Sequence, residues 1–238
     1  MNQNDKNTIS YETLRLTGEQ RKMFDQLALL LEEKNRQINL TAIADPQEIR
    51  EKHFVDSLAV CLCHDVAKKM QEGAKVLDLG TGGGFPALPV KIVYPDTDMT
   101  MLDATKKKLV AAEEMANALG LTNADPLWGR AEELARQLEY RASFDFVISR
   151  AAMYLPSLIE CAVPFLKEGG VLIAYKQGSN DDEIEASAHA LEELNARLTD
   201  QVAYSINGNP RRLILIEKTG PTPDKYPRRT GKPVKKPL

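Results

Sequence analysis

The chain has 238 residues, 43% of them hydrophobic and 27% charged, with a net charge of -3. That profile belongs to a globular protein, one α/β domain with an appendage; it excludes a disordered chain, and no apolar run reaches the length of a membrane span. The three cysteines, Cys61, Cys63 and Cys161, cannot all pair, and the polar start from Met1 to Asn7 has no apolar signal core, so a reducing, cytoplasmic location is expected.

Thr17-Gly18-Glu19-Gln20 reads as a helix start, with Met23, Phe24, Leu27, Leu30, Leu31 and Ile38 following near helical spacing. Asp45-Pro46 supplies a cap and a first-turn proline for a second helix, whose stripe is Ile49, Phe54, Leu58 and Leu62. Two short helices bury too little to stand alone, so residues 1–72 are expected as a helical subregion packed on a larger body.

Lys75 to Gly80 is the first strand, and it runs into Asp78-Leu79-Gly80-Thr81-Gly82-Gly83-Gly84-Phe85-Pro86. Glycines at alternate positions let the backbone turn sharply and leave no side chain between it and a ligand. The spacing differs from the dinucleotide loop G-x-G-x-x-G, because Phe85 stands where the last glycine would be. A carboxylate at Asp78 would repel a pyrophosphate, yet it suits a cationic ligand such as the amino end of S-adenosylmethionine.

Pro86 to Tyr94 is the helix behind the loop, and Asp98 to Asp103 is the second strand. Asp103 follows Asp78 by 25 positions, the strand–helix–strand distance that suits a carboxylate accepting from ribose hydroxyls. A strand-end turn or a helix cap is the other use of such a residue. A helix over Lys106 to Leu119 and a third strand over Asp125 to Trp128 lead to Gly129-Arg130-Ala131-Glu132, a loop that would open beside the cofactor's base.

Phe144 to Ser149 is the fourth strand, ending at Arg150-Ala151; Leu155 to Leu166 is helical, and Val171 to Tyr175 is the fifth strand. Asp181 to Leu198 reads as one acidic amphipathic helix, and Val202 to Ile206 with Leu213 to Ile216 as a hairpin around Asn207-Gly208-Asn209. Strands alternating with helices imply a parallel sheet over 73–218, and the hairpin adds an antiparallel edge. The Pro-rich tail, 219–238, holds six Lys or Arg against one acid, which leaves -8 for the rest of the chain. It is a candidate phosphate contact or, equally, a solvated terminus.

The Asp-Leu-Gly-Thr-Gly-Gly-Gly-Phe-Pro-Ala-Leu-Pro run resembles the cofactor motif of the bacterial small-subunit rRNA guanine-N7 methyltransferases, the RsmG or glucose-inhibited division protein B family. Asn35, Asn39-Leu40-Thr41 and His53-Phe54-Val55-Asp56-Ser57-Leu58 resemble the family's amino-terminal signatures. Gly129-Arg130-Ala131-Glu132 and Ser149-Arg150-Ala151 resemble its later loops, and Lys225-Tyr226-Pro227-Arg228 with Gly231-Lys232-Pro233 its basic tail. Lys34, Ala104 and Val110 depart from the pattern, and none touches the glycine loop.

The resemblance implies an α/β, Rossmann-like class I methyltransferase sheet with helices on both faces. It also implies S-adenosyl-L-methionine as cofactor, and as target N7 of a guanine in 16S rRNA, guanine 527 in the usual rRNA numbering. Carried over, the family's cofactor positions fall on Gly80, Phe85, Ala131, Glu132 and Arg150. With Asp78, Gly82, Gly84 and Asp103 read from the residues themselves, these are the candidate cofactor-binding residues. Asp78 is expected at the methionine end, Asp103 at the ribose, and Ala131-Glu132 at the adenine.

Guanine N7 carries a free lone pair, so no general base is expected, and catalysis can be mostly alignment. Arg150 is the candidate catalytic residue, able to donate to the cofactor carboxylate, guanine O6 or a phosphate; a structural ion pair at the strand end is its other use. Candidate RNA contacts are Lys106, Lys107, Lys108, Arg211, Arg212, Lys225, Arg228 and Arg229. Cys161 reads as core, His53 and His189 as structural or surface residues. Cys61, Cys63 and His64 offer too few ligands for a metal, and none is expected. The expected partner is 16S rRNA or the small subunit, with the protein as a monomer. Methylation of another substrate, or cofactor-dependent rRNA assembly without turnover, are the competing functions.

Overall fold

The computed structural model describes residues 7–43, 45–151 and 153–238; the polar leader Met1 to Lys6, together with Ala44 and Ala152, lies outside them. Helix α1 (Gly18–Ile38) starts where Thr17 accepts from the Gln20 amide while the Gln20 side chain accepts from the Thr17 amide, a reciprocal cap. It ends at Asn39, whose left-handed φ of 50° halts the helix. Phe24, Leu27 and Leu31 are its buried face.

The second predicted helix is not continuous. A short α2 (Pro46–Ile49), capped by Asp45, passes into a π-helical turn over Arg50–Val55 and then a 3-10 turn over Leu58–Leu62 before α3 (His64–Gln71). Its expected stripe is nonetheless inside at Ile49, Phe54 and Leu58. These residues share one apolar cluster with Phe24, Leu27 and Leu31 and with Val76, Met99 and Phe146 of the sheet, so this region is built into the face of the main body.

The strands are β1 (Lys75–Leu79), β2 (Asp98–Asp103), β3 (Ala124–Trp128), β4 (Phe144–Ser149), β5 (Leu166–Gln177), β6 (Ala196–Ile206) and β7 (Asn209–Lys218). They form one sheet in the order β3-β2-β1-β4-β5-β7-β6. The first five are parallel and β7 runs antiparallel between β5 and β6. Helix α4 (Ala87–Val93) and α5 (Lys106–Ala118) cover one face with the amino-terminal helices; α6 (Ala131–Leu134) and α7 (Leu155–Ala162) cover the other, over a second cluster containing Leu77, Val147, Leu158 and Phe165. The strand order turns back between β1 and β4, and at such a switch point a cleft opens along the carboxyl edge.

Two predicted elements are corrected. The helix expected over Asp181 to Leu198 is two short ones, α8 (Asp181–Ala186) and α9 (Ala188–Glu193). Ser187 turns its hydroxyl back to the Glu183 carbonyl at the break, and Asn195 takes a left-handed φ of 50°. The chain is then free to enter β6 at Ala196, so Arg197, which read as part of a polar helix end, lies with Asp200 on an exposed sheet edge. The hairpin is correspondingly longer than predicted and its second strand is interior.

The tail is also not a free arm. Arg141 donates to the carbonyls of Thr222 and Tyr226, Arg136 to those of Asp224, Lys225 and Pro227, and Arg228 pairs with Glu160 on α7, whose side chain is fully buried. Both the Arg228 amide and its Nε donate to Glu160 Oε1 at 2.8 Å. Breaking such a pair leaves a buried carboxylate uncompensated, so Arg228→Ala is expected to cost about 3–5 kcal/mol in urea unfolding. A change within 0.5 kcal/mol, roughly the size of a surface substitution, would refute the anchor. No described helix is long and apolar enough to cross a membrane.

Candidate active site

Strand β1 carries Asp78 to the carboxyl edge, fully buried. Its Oδ2 accepts from the Ala87 amide at 3.0 Å, at the start of α4, while its Oδ1 has no hydrogen-bond partner among the described residues. The hydroxyl of Thr81, also buried, makes no well-formed hydrogen bond, yet it lies near enough to the Asp78 carboxyl to act on it. Burial pushes the Asp78 carboxyl up to about 7, against the opposing pull of the Thr81 hydroxyl, the Ala87 amide and Arg150. Buried polar atoms whose hydrogen bonding is incomplete are costly unless a ligand completes it.

The loop after Asp78 is shaped by its glycines. Gly80 has φ 80°, and a Cβ there would stand 3.1 Å from the Ala151 Cβ; at Gly84, φ is 89° and a Cβ would meet Leu88 at 2.5 Å. The Gly82 amide donates to Asp103 Oδ2 at 2.8 Å, and the other Asp103 oxygen accepts from the Thr105 amide at 2.7 Å. Asp103 therefore both ties the loop and caps the chain entering α5, with lone pairs left over for hydroxyls.

Arg150, just beyond β4, is 16% exposed at its side chain. Its guanidinium donates to the Lys52 carbonyl at 2.7 Å, to Asp56 Oδ2 at 3.2 Å and to His53 Nδ1 at 3.0 Å, and lies 5.7 Å from the Phe85 ring centre. A guanidinium only donates, so His53 Nδ1 must accept and its Nε2–H faces the Thr41 hydroxyl at 2.9 Å. Burial, with Arg150 and Lys52 adding to it, lowers the His53 pKa to about 3. The neutral ring stacks on Phe85, centres 4.7 Å apart. Asp56 in turn accepts from the Tyr204 hydroxyl at 2.8 Å and sits 3.2 Å from Arg211 Nε.

Three cavities follow the carboxyl edge. One of about 410 Å³ lies over Gly80, Asp103, Ala104, Ala131 and Glu132; one of about 150 Å³ lies among Thr81, Gly82, Phe85, His53 and Arg150. A third, of about 480 Å³, is lined by Arg150, Tyr154, Tyr175, Lys176, Tyr204 and Arg211. Arg150 borders the second and third, and Met153 the first and third, so the third cavity shares a wall residue with each of the others.

The structure thus brings Asp78, Gly80, Gly82, Gly84, Phe85, Asp103, Ala131, Glu132 and Arg150 to one edge. It separates the basic candidates. Lys106 and Lys107 are exposed beside the cleft, and Lys108 is half-buried. Arg211 is committed to Asp56, Arg212 to Asp181, Lys225 to Glu193 and Arg228 to Glu160, whereas Arg229 is exposed. His53 is no surface residue but part of the site, and Asp56, Thr81 and Tyr204 join it. Thr41, His53 and Asp56 stand in the amino-terminal signature segments, whereas Tyr204 has no signal in its strand sequence. Among the described residues no group of three metal-ligating side chains forms.

An open sheet with a lone antiparallel strand next to its edge and a glycine loop after its central strand is the build of a Rossmann-like methyltransferase that draws on S-adenosylmethionine. Solved structures share that fold. The O-methyltransferase TomG from Streptomyces achromogenes, in complex with SAM, superposes with a TM-score of 0.58 over 92% of this chain and 100% of its own at 17% identity. The Bacillus cereus O-methyltransferase in complex with SAH gives 0.57 over 87% and 94% at 18% identity. The model of the GidB family, rRNA small subunit methyltransferase G, matches residues 20–213. Proteins named Ribosomal RNA small subunit methyltransferase G are 39% identical in Streptococcus gordonii, over 97% of this chain and 96% of theirs, and 41% identical in Lachnoclostridium phytofermentans, over 94% and 91%. The chain belongs to this family.

The residues fit that cofactor. Asp78 Oδ1 and the Thr81 hydroxyl have incomplete hydrogen bonding that a cationic amine would complete, and Gly80, which packs too closely on Ala151 to carry a Cβ, lines the neighbouring cavity.

Proposed function

We propose that the protein methylates N7 of a guanine in 16S rRNA, the target that the family resemblance implies. The observation that supports the reading is the buried pair of Asp78, whose Oδ1 lacks a well-formed hydrogen bond, and Thr81, which lines the 150 Å³ cavity that Arg150 also borders.

Asp78 and Thr81 take the ammonium of the methionine end, Asp103 the ribose hydroxyls, and Ala131 with Glu132 the adenine. When bound, S-adenosylmethionine supplies an electrophilic methyl on a sulfonium. The cavity lined by Tyr154, Tyr175 and Arg211 receives the base, and Arg150 lies between base and cofactor. N7 needs no proton removed, so these side chains have only to orient it and exclude water. His53, held neutral, fixes the Arg150 guanidinium rather than moving a proton.

The rim supports an RNA partner. Trp128, the chain's single tryptophan, is 58% exposed at the end of β3, with the Lys106 ammonium 5.1 Å from its ring. An exposed aromatic flanked by cations is a platform on which an unpaired base stacks. Trp128→Ala is expected to weaken binding of small-subunit RNA by about 1–3 kcal/mol, and Lys106→Ala to lower the magnitude of the salt slope by about one. Unchanged affinity in filter binding across a salt series would remove this face. On this reading the protein works in the cytoplasm, where ribosomal RNA is, and we infer that it acts as a monomer.

The deciding experiment maps N7-methylguanine in 16S rRNA from cells with and without the protein, by N7-specific cleavage followed by reverse transcription. Loss of one stop with the gene, regained by adding protein and S-adenosylmethionine to the undermethylated subunits, is the expected result. An unchanged pattern rejects the assignment.

A further inference from the structure

The carboxyl-terminal residues do more than carry charge. Beyond the Arg228–Glu160 anchor the chain turns at Gly231, φ 78°, into a short helix, α10 (Lys232–Lys235). Three bonds hold this stretch on α6 and α7: the Gly231 amide to Glu132 Oε1 at 2.8 Å, Thr230 Oγ1 to Glu133 Oε1 at 2.8 Å, and Ser157 Oγ to the Pro233 carbonyl at 2.8 Å. Glu132 thereby spends an oxygen on the tail. Thr230, Gly231, Val234 and Lys235 line the 410 Å³ cavity together with Gly80 and Asp103. Val234 is 58% exposed, one of few large apolar side chains left to water, and it faces this mostly apolar space.

We propose that Thr230–Lys235 is the outer wall of the adenine end of the cofactor cleft, with Val234 as its apolar contact and the Arg228–Glu160 pair positioning it. The proposal rests on the placement of the adenosine half between Asp103 and Ala131 given above. An adenine ring seated there removes Val234 from water, and that burial stabilises the complex without altering the ligand-free fold.

The test is calorimetric titration of the full chain and its variants with S-adenosylmethionine and with 5′-methylthioadenosine, which keeps the adenosine half alone. Val234→Asp is expected to weaken both by the same factor, about tenfold. Its ligand-free melting temperature should stay that of the parent, and Val234→Leu should bind within about twofold of the parent. A chain ended after Gly231, which keeps the Arg228–Glu160 pair but gives up the Arg228 bond to the Lys236 carbonyl and the Ser157 bond to the Pro233 carbonyl, should lose at least as much as Val234→Asp when compared where circular dichroism shows it folded. Affinities unchanged by both Val234→Asp and the shortened chain overturn the wall, as does a loss confined to S-adenosylmethionine. Asp103→Ala separates the two ideas: if it weakens both ligands while Val234→Asp does not, the wall is wrong and the adenosine placement stands. If neither substitution matters, both fall.

Discussion

Arg150→Ala is expected to lower kcat/KM on undermethylated small subunits by about 10²–10³-fold, the scale on which removing one aligned charged donor acts. The count of donors gives the reason. Of the five N–H groups on the guanidinium, three are taken by the Lys52 carbonyl, Asp56 and His53, and two remain for a ligand. Arg150→Lys keeps the charge but not the fork, so it should recover little. The fold will feel the change as well, since Asp56 is 5% exposed and loses one of its cationic neighbours, keeping Arg211 and the Tyr204 hydroxyl. Turnover is therefore to be compared at a temperature where circular dichroism shows both proteins folded. Activity equal to the parent there would remove Arg150 from the site.

Asp78→Asn is expected to move stability and binding in opposite directions. The carboxyl sits at about 7 in the folded ligand-free protein, against an ordinary 3.8. A raised acid binds its proton more tightly when folded, so its stabilising contribution is full below 3.8 and disappears as pH rises through 7. Three units or so correspond to roughly 4 kcal/mol. His53 acts with the other sign: its folded value near 3 means stability is lost as pH falls below 6.5. The difference between parent and Asp78→Asn isolates the first effect. In urea unfolding the variant should gain on the parent by about 2.5–3 kcal/mol between pH 5 and pH 8, while its S-adenosylmethionine affinity drops about 10- to 100-fold. A pH-independent difference, or undiminished affinity, would contradict the role of Asp78. At pH 6, binding to the parent should also release part of a proton, seen as a buffer-dependent heat.

Much of the cofactor side was legible in the sequence because backbone geometry leaves few choices. Gly80 and Gly84 adopt φ values that side chains resist, and the spacing to Asp103 follows from strand, helix and strand. The other side was not, because its contacts join distant parts of the chain. Arg150 meets Asp56 across 94 positions, and Asp56 meets Tyr204 across 148. Neither separation leaves a local pattern.

The tail misled for a different reason. Six cations in a Pro-rich stretch read as solvent-facing, whereas Arg228 is spent on Glu160. The signal lay in the partner: a single acid inside the apolar run Leu-Ile-Glu-Cys-Ala-Val is costly unless a cation reaches it. In the same way the break at Ser187 was hidden, because two short helices and one long one share an acidic amphipathic pattern.

The π-helical turn over Arg50–Val55 carries a consequence for how this family member can vary. Its wider ring brings the Asp56 amide to the Glu51 carbonyl, five residues back, while the Lys52 carbonyl receives Arg150. Dropping one residue here would restore ordinary winding and swing everything downstream by about 100°. His53 and Asp56 could not then both face the same guanidinium. Side chains on the outer face, such as Lys52, can drift freely, but the segment's length is held fixed by the arginine it serves.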